Sequence, residues 1–100
     1  MESNFKLKIL LFDKDAQFLF NFAKVIEGLL GIEPIIAMNG EDALAKILQF
    51  QPHIFIAEVS MGEGSGLDLI LRAKNLNPHL YGFSLYSGLL PSGLTKQSII

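Results

Sequence analysis

The chain has no cysteine, and this absence excludes both a disulfide framework and a metal site built from thiolates. It also lacks an excess of positive charge, since eight lysines and arginines stand against ten aspartates and glutamates. The net charge is −2, and no basic stripe is available to neutralise phosphates. We therefore do not expect this domain to bind nucleic acid.

Long apolar runs are absent as well. Half of the residues are hydrophobic, yet no run approaches the ~18 residues that a membrane span needs. Lys6, Lys8 and Asp13 interrupt the first apolar stretch, which argues against a secretory signal peptide. Together with the missing cysteines, these features predict a cytoplasmic protein without a membrane segment.

The sequence does contain a regular alternation of strand-like and helix-like segments over 100 residues, enough for one small domain spanning residues 1–100. The alternation predicts βαβ crossovers and an open parallel α/β sheet with helices on both faces. The predicted strands are Lys6–Phe12, Pro34–Met38, Ile54–Ala57 and Leu80–Tyr86. Helices are predicted over Ala16–Leu30, after the cap residue Asn39, from about Ser65, and from Ser92.

Each of the first three helices carries apolar residues at helical spacing, which predicts the face that packs against the sheet. The predicted core-facing residues are Phe18, Phe22, Ile26 and Leu29 in the first helix and Ala43, Leu44, Ile47 and Leu48 in the second. The third helix carries Leu67, Ile70, Leu71 and Lys74.

Two acidic residues far apart in sequence close apolar strand-like runs: Asp13 in KILLFD and Glu58 in HIFIAE. The carboxyl ends of parallel strands line one crevice, and ligands bind there. We therefore expect Asp13 and Glu58 to meet in one site. The alternative for Asp13 is that it ends a strand and starts a turn. Asp15 is expected to be the N-cap of the first helix rather than a ligand.

Four segments of the chain resemble the receiver domain of bacterial response regulators: ILLFDKDAQ, AMNGEDAL, HIFIAEVSMGEGSGLDLI and LYSG. The spacing from Asp13 to Glu58 and on to Gly66 fits the family without gaps, and the resemblance covers essentially the whole chain. It implies a receiver-type, flavodoxin-like fold and a role in two-component signalling. It also implies that the domain is incomplete at its C-terminus, because the family's fifth strand and fifth helix have no counterpart before Ile100.

The resemblance also implies roles for individual positions. In this family an aspartate after strand 3 accepts a phosphoryl group, and two acids after strand 1 hold Mg²⁺. A hydroxyl after strand 4 and a lysine after strand 5 bind the phosphoryl oxygens. Here Glu58 stands at the acceptor position, Asp13 at the first metal acid and Lys14 at the second. Ser87 best matches the hydroxyl, with Tyr86 as the alternative, and the strand-5 lysine has no counterpart.

These departures from the family pattern alter the expected chemistry. Mg²⁺ prefers oxygen ligands, whereas Lys14 removes one and adds repulsion, so we expect no cofactor and at best weak Mg²⁺ binding through Asp13. Glu58 is about one methylene longer than aspartate and would place its oxygen wrongly for in-line transfer. The chain therefore resembles a degenerate receiver, or pseudo-receiver. Lys14 and Glu58 either form an ion pair or are two solvated charges pointing apart.

Three functions remain open at this point. The first is a non-enzymatic signalling module that binds a protein partner, such as a sensor kinase or an output domain, without phosphoryl chemistry. The second is a receiver that still accepts phosphate and binds Mg²⁺. The third is a small α/β nucleotide-binding or enzymatic fragment, although no nucleophile–base pair and no Walker lysine are present. Without a fifth strand and helix, the strand-4 edge and one flank of helix 1 would be exposed, which predicts oligomerisation through either surface.

Overall fold

A computed structural model describes residues 5–59, 65–86 and 97–99, with side chains described for residues 5–58 and 68–84. The elements occur in the order β1 (Ile9–Phe12), α1 (Ala16–Leu30), β2 (Ile35–Ala37), α2 (Gly40–Phe50), β3 (Ile54–Val59), α3 (Ser65–Leu76), β4 (Tyr81–Tyr86) and β5 (Gln97–Ile99). The strands form a sheet in the order β2-β1-β3-β4-β5, in which β1 to β4 are parallel. The predicted open parallel α/β sheet is confirmed.

The end of the chain differs from the prediction. We expected no fifth strand and an unpaired β4 edge, but β5 pairs with β4 in antiparallel orientation, with Ser84 opposite Ile99 and Tyr86 opposite Gln97. An antiparallel strand can lie directly beside its neighbour without a crossover helix, so β5 covers this edge over the three paired residues. A three-residue strand is too short for its sequence pattern to reveal. The helix predicted from Ser92 begins outside the described residues, and its continuation over residues 97–99 is wrong, because Gln97–Ile99 form β5.

Helix α1 has the predicted bounds because both of its ends are capped. The Asp15 side chain accepts a hydrogen bond from the Phe18 backbone N–H at 3.1 Å, as an N-cap does. At the other end Gly31 has φ 69°, in the left-handed region that favours glycine, and its N–H donates to the Glu27 carbonyl at 2.8 Å. The loops that flank α1 are therefore held at defined positions.

Apolar side chains are buried on both faces of the sheet. All four residues of β1 are buried, as expected for a strand covered on two sides. One face packs under α2 and α3 and contains Leu10, Phe12, Ala37, Ala43, Ile47, Phe55, Ala57, Leu69, Ile70, Ala73 and Leu80. The other face packs under α1 and contains Ile9, Leu11, Leu19 and Ile26. The helices therefore cover both faces, but unequally.

Three apolar residues on the predicted helix faces are exposed, contrary to the prediction. Leu29 in α1, Leu48 in α2 and Leu71 in α3 are 78%, 58% and 65% exposed. In α1 the buried residues are Leu19 and Ile26, so the helix contacts the sheet along a narrower stripe than its apolar residues indicate. A helix that is apolar around much of its circumference does not reveal which side is covered.

Candidate functional site

Asp13 and Glu58 lie at the same end of two neighbouring strands. Phe12 of β1 pairs with Ala57 of β3, and the same register continued by one residue places Asp13 beside Glu58. Neighbouring strands are about 4.8 Å apart, so the two residues lie side by side in the sheet. Asp13 is 2% exposed and Glu58 is 7% exposed. The structure thus brings together the two carboxylates singled out in the sequence and removes both from solvent.

Asp13 also shapes the loop between β1 and α1. Its Oδ1 accepts a hydrogen bond from the Asp15 backbone N–H at 2.9 Å, which is the bond of an Asx turn. The Asp13 N–H reaches the Ala37 carbonyl of β2 at 3.4 Å and extends the strand pairing by one residue. The turn role of Asp13 is therefore present, and it uses one carboxylate oxygen. The other oxygen is not required for this turn.

Lys14, the next residue, is exposed and borders a cleft of about 340 Å³ on the α2 and α3 side of the sheet. The cleft has an apolar floor and a charged rim, and it is lined by Phe12, Lys14, Gly40, Glu41, Leu44, Asp68, Leu69 and Arg72. Arg72 pairs with Asp68 at 3.4 Å, one turn earlier in α3. The sequence pattern does not reveal this cleft, because the residues that line the cleft come from three segments that only the fold brings together.

The burial of Glu58 bears on the two alternatives for Lys14 and Glu58, an ion pair or two solvated charges. Because Glu58 is 7% exposed, the two residues are not a pair of solvated charges. Asp13, Lys14 and Glu58 all have interaction partners. An ion pair between Lys14 and Glu58 stays a prediction.

The candidate hydroxyl positions are the last residue of β4, Tyr86, and the residue after it, Ser87. Glu58 pairs with Leu85 in the register of β3 and β4, and Tyr86 is opposite Val59, one position further on. Ser87 lies outside the described residues, so the choice between Ser87 and Tyr86 stays a prediction. Ser84, which the sequence analysis did not consider, is 6% exposed and pairs with Ala57. It lies one position before the strand pairing that contains Glu58.

We expect the acid pair to be a poor site for Mg²⁺. Mg²⁺ needs near-octahedral oxygen coordination, and here a lysine follows the first carboxylate where a second acid would supply an oxygen. Among the residues that the structure describes, no group of three or more histidine, aspartate or glutamate side chains is placed to hold a metal ion. In the same part of the chain, each helix is too short or too polar to cross a membrane.

Comparisons with known proteins agree with this architecture. No protein-family model matches the chain. A transcriptional regulatory protein of Bacillus subtilis, YesN, described as uncharacterized, is 40% identical over 83 residues, which cover 81% of this chain. The N-terminal domain of an uncharacterized protein from Wolinella succinogenes has a TM-score of 0.70 at 22% identity and covers 82% of this chain. The chain is a receiver-like domain.

The receiver-like domain is short compared with both of these proteins. It spans 22% of the length of the Bacillus relative and 65% of the Wolinella chain. At 22% identity, the likeness to the solved structure concerns the fold. The roles of Asp13, Lys14 and Glu58 therefore rest on their own geometry and chemistry.

The lysine beside the acid pair leads to a prediction about metal binding. We expect the receiver-like domain to show little Mg²⁺ binding at millimolar concentration, and Lys14→Asp to bind at least about tenfold more tightly. The substitution adds an oxygen ligand and removes a repelling positive charge. Titration with Mg²⁺, followed by NMR shifts of the Asp13 and Glu58 amides, measures both affinities.

The matched control is Lys24→Asp, which makes the same change of charge at an exposed position in α1. It should leave Mg²⁺ binding at the wild-type level. Tight binding by the wild-type protein, or an equal gain in the Lys24 variant, would show that the position of Lys14 does not limit the site.

Proposed function

We propose that this receiver-like domain is a signalling module that acts by binding a protein partner and does not undergo phosphorylation. The observation that carries the proposal is the buried Glu58, which lies beside Asp13 at the carboxyl end of β3 where the family has its acceptor aspartate. The crevice at the carboxyl ends of the strands is present, but Lys14 and Glu58 replace the groups that phosphoryl transfer uses in the family.

Phosphoryl transfer to Glu58 would depend on where its carboxylate oxygen lies and on which groups neutralise the charge. Phosphoryl transfer depends almost entirely on positioning and on electrostatic stabilisation of the transferred group. The side chain of Glu58 extends one methylene further than an aspartate from the same backbone position, and a displacement of about 1 Å can cost about 10²-fold in rate. Lys14 supplies a cation but no metal ligand. The site therefore supports recognition better than group transfer.

The partner is proposed to be a protein of a two-component pathway, either a sensor kinase or an output domain. The Bacillus relative is named as a transcriptional regulatory protein, and this chain corresponds to 22% of its length. We infer that the domain is a regulatory module in the cytoplasm and not an enzyme. A phospho-accepting receiver that binds Mg²⁺ is the second candidate, because Asp13 and Glu58 do lie side by side.

A small phosphodonor separates these two candidates. After incubation with acetyl phosphate and Mg²⁺, the wild-type protein is expected to keep its unmodified intact mass, because neither the acceptor nor the metal site has the required groups. A phospho-accepting receiver domain in the same reaction verifies the donor. The measurement is intact-mass spectrometry at several reaction times.

Variants at the two altered positions provide the internal comparison. Lys14→Asp combined with Glu58→Asp is expected to carry a larger modified fraction than either single variant, because it restores both the second metal-binding acid and the acceptor aspartate of the family pattern. An adduct on wild-type protein that maps to Glu58 would instead establish the phospho-accepting receiver.

A further inference from the structure

The strand β2 forms an open edge of the sheet. In the described part of the chain, β2 is hydrogen-bonded on one side, to β1. The Ala37 carbonyl accepts from the Asp13 N–H and therefore points toward β1. Successive residues of a strand direct their backbone groups to alternate sides. The N–H and C=O of Ile36 consequently point away from the sheet, where another strand could bind them.

A lysine from the neighbouring helix occupies this edge. The Lys46 ammonium donates a hydrogen bond to the Ile36 carbonyl at 2.7 Å. It also donates to Asp42 Oδ2 at 2.9 Å, one turn earlier in α2. The Lys46 side chain is 29% exposed, so this contact is partly shielded from water. Asp42 thus holds the ammonium over the outward-facing carbonyl.

The remainder of the edge offers little to a partner strand. Pro34 lies on the same side as Ile36 and has no backbone N–H to donate. The edge therefore presents a complete N–H and C=O pair at Ile36, just before Asn39 caps α2. In two copies related by a two-fold axis at Ile36, the N–H and C=O of each Ile36 would bond to those of the other. Opposite residues in an antiparallel pair can exchange both hydrogen bonds in this way.

We propose that Lys46 blocks the open edge of β2, and that the surface it blocks fits the β2 edge of a second copy of this chain. In the wild-type protein the ammonium occupies the carbonyl that the second copy would need. When the ammonium is removed, Ile36 becomes available, and the two β2 strands pair across the two-fold axis.

Lys46→Met tests the proposal, because methionine keeps the aliphatic stem and removes the ammonium. The self-association constant, measured by sedimentation velocity, is expected to rise at least about tenfold over that of the wild type, which corresponds to two additional hydrogen bonds. The pairing is located by hydrogen exchange. The Ile36 amide should exchange more slowly as the concentration of the variant increases, and this should not occur in the wild type.

Three comparisons keep the outcome decisive. Lys46→Arg retains a donor at this position and should associate like the wild type, and Lys24→Met removes a charge from an exposed position of α1 and should do the same. If Lys46→Met does not fold, Lys46→Leu serves in its place because it also removes the ammonium and keeps an apolar side chain. The proposal is overturned if the ammonium-free variant associates no more than Lys24→Met, or associates without protecting the Ile36 amide.

Discussion

Gly82→Ala is expected to destabilise the domain by about 1–3 kcal/mol, although it adds a single methyl group. A Cβ built on Gly82 would lie 2.7 Å from Cγ2 of Ile70 and 3.9 Å from its Cβ. Ile70 is 9% exposed and lies in α3, where a β-branched side chain is nearly fixed at χ1. Neither the helix nor the strand can yield without losing packing elsewhere. Chemical denaturation gives the change in the free energy of unfolding.

A glycine in a different setting provides the matched control. A Cβ at Gly28, in the last turn of α1, would meet nothing within 4 Å. Gly28→Ala should therefore stabilise the domain by about 0.5–1 kcal/mol, since alanine has less backbone freedom to lose. If Gly82→Ala stabilised the domain as Gly28→Ala is expected to do, the close packing of α3 on β4 at Gly82 would be disproved.

A double-mutant cycle tests whether Ile70 is the cause. Ile70→Ala removes Cγ2 and should itself destabilise the core by about 2–5 kcal/mol. In that background Gly82→Ala should cost at least about 1 kcal/mol less than in the wild type, because the added methyl group enters the space that was vacated. An unchanged cost would place the conflict elsewhere.

The parts of the fold that sequence predicts well are those encoded by neighbouring residues. The bounds of α1 follow from Asp15 and Gly31, each of which satisfies backbone groups at its own end of the helix. The burial of β1 follows from its uninterrupted apolar run. To predict that Asp13 lies beside Glu58 required one further step, the rule that the carboxyl ends of parallel strands share an edge.

Features that depend on distant parts of the chain were not predictable in this way. Leu29 continues the apolar pattern of α1 and is nevertheless 78% exposed, because no described element packs over it. The cleft beside Lys14 combines β1, α2 and α3, and no single segment indicates it. The antiparallel β5 has three residues, and its position depends on pairing with β4. In each case the deciding contact comes from another element.

Self-association was expected through the β4 edge or through helix 1, and the sheet is covered unevenly at these two surfaces. Because β5 pairs with Ser84 to Tyr86, the β4 edge is not bare over those residues. The α1 side retains an apolar groove of about 350 Å³, which is lined by Ile9, Phe22, Ile26, Leu30, Ile54, Ile56 and Phe83. Parallel sheets are normally covered on both faces. The part of the expectation that concerns helix 1 therefore remains.

We predict that this 100-residue sequence is oligomeric, or is markedly less stable than a longer version in which a helix covers the α1 groove. A helix laid in the groove would bury several apolar side chains, each contributing about 1.5–3 kcal/mol, so the difference should reach about 3–6 kcal/mol. The groove residues Phe22 and Phe83, which are partly exposed, should become buried in the extended protein. Thermal melts and sedimentation velocity on the two lengths measure stability and association separately.

A control variant shows whether the groove is responsible. Phe83 is half-buried and lines the groove, whereas Leu48 is exposed on α2, on the other side of the sheet. Phe83→Ser should reduce the advantage of the extended chain by about 1.5–3 kcal/mol, because it removes one apolar contact from the groove. Leu48→Ser should leave that advantage unchanged. A monomeric 100-residue chain as stable as the extended one would mean that the α1 face needs no further cover.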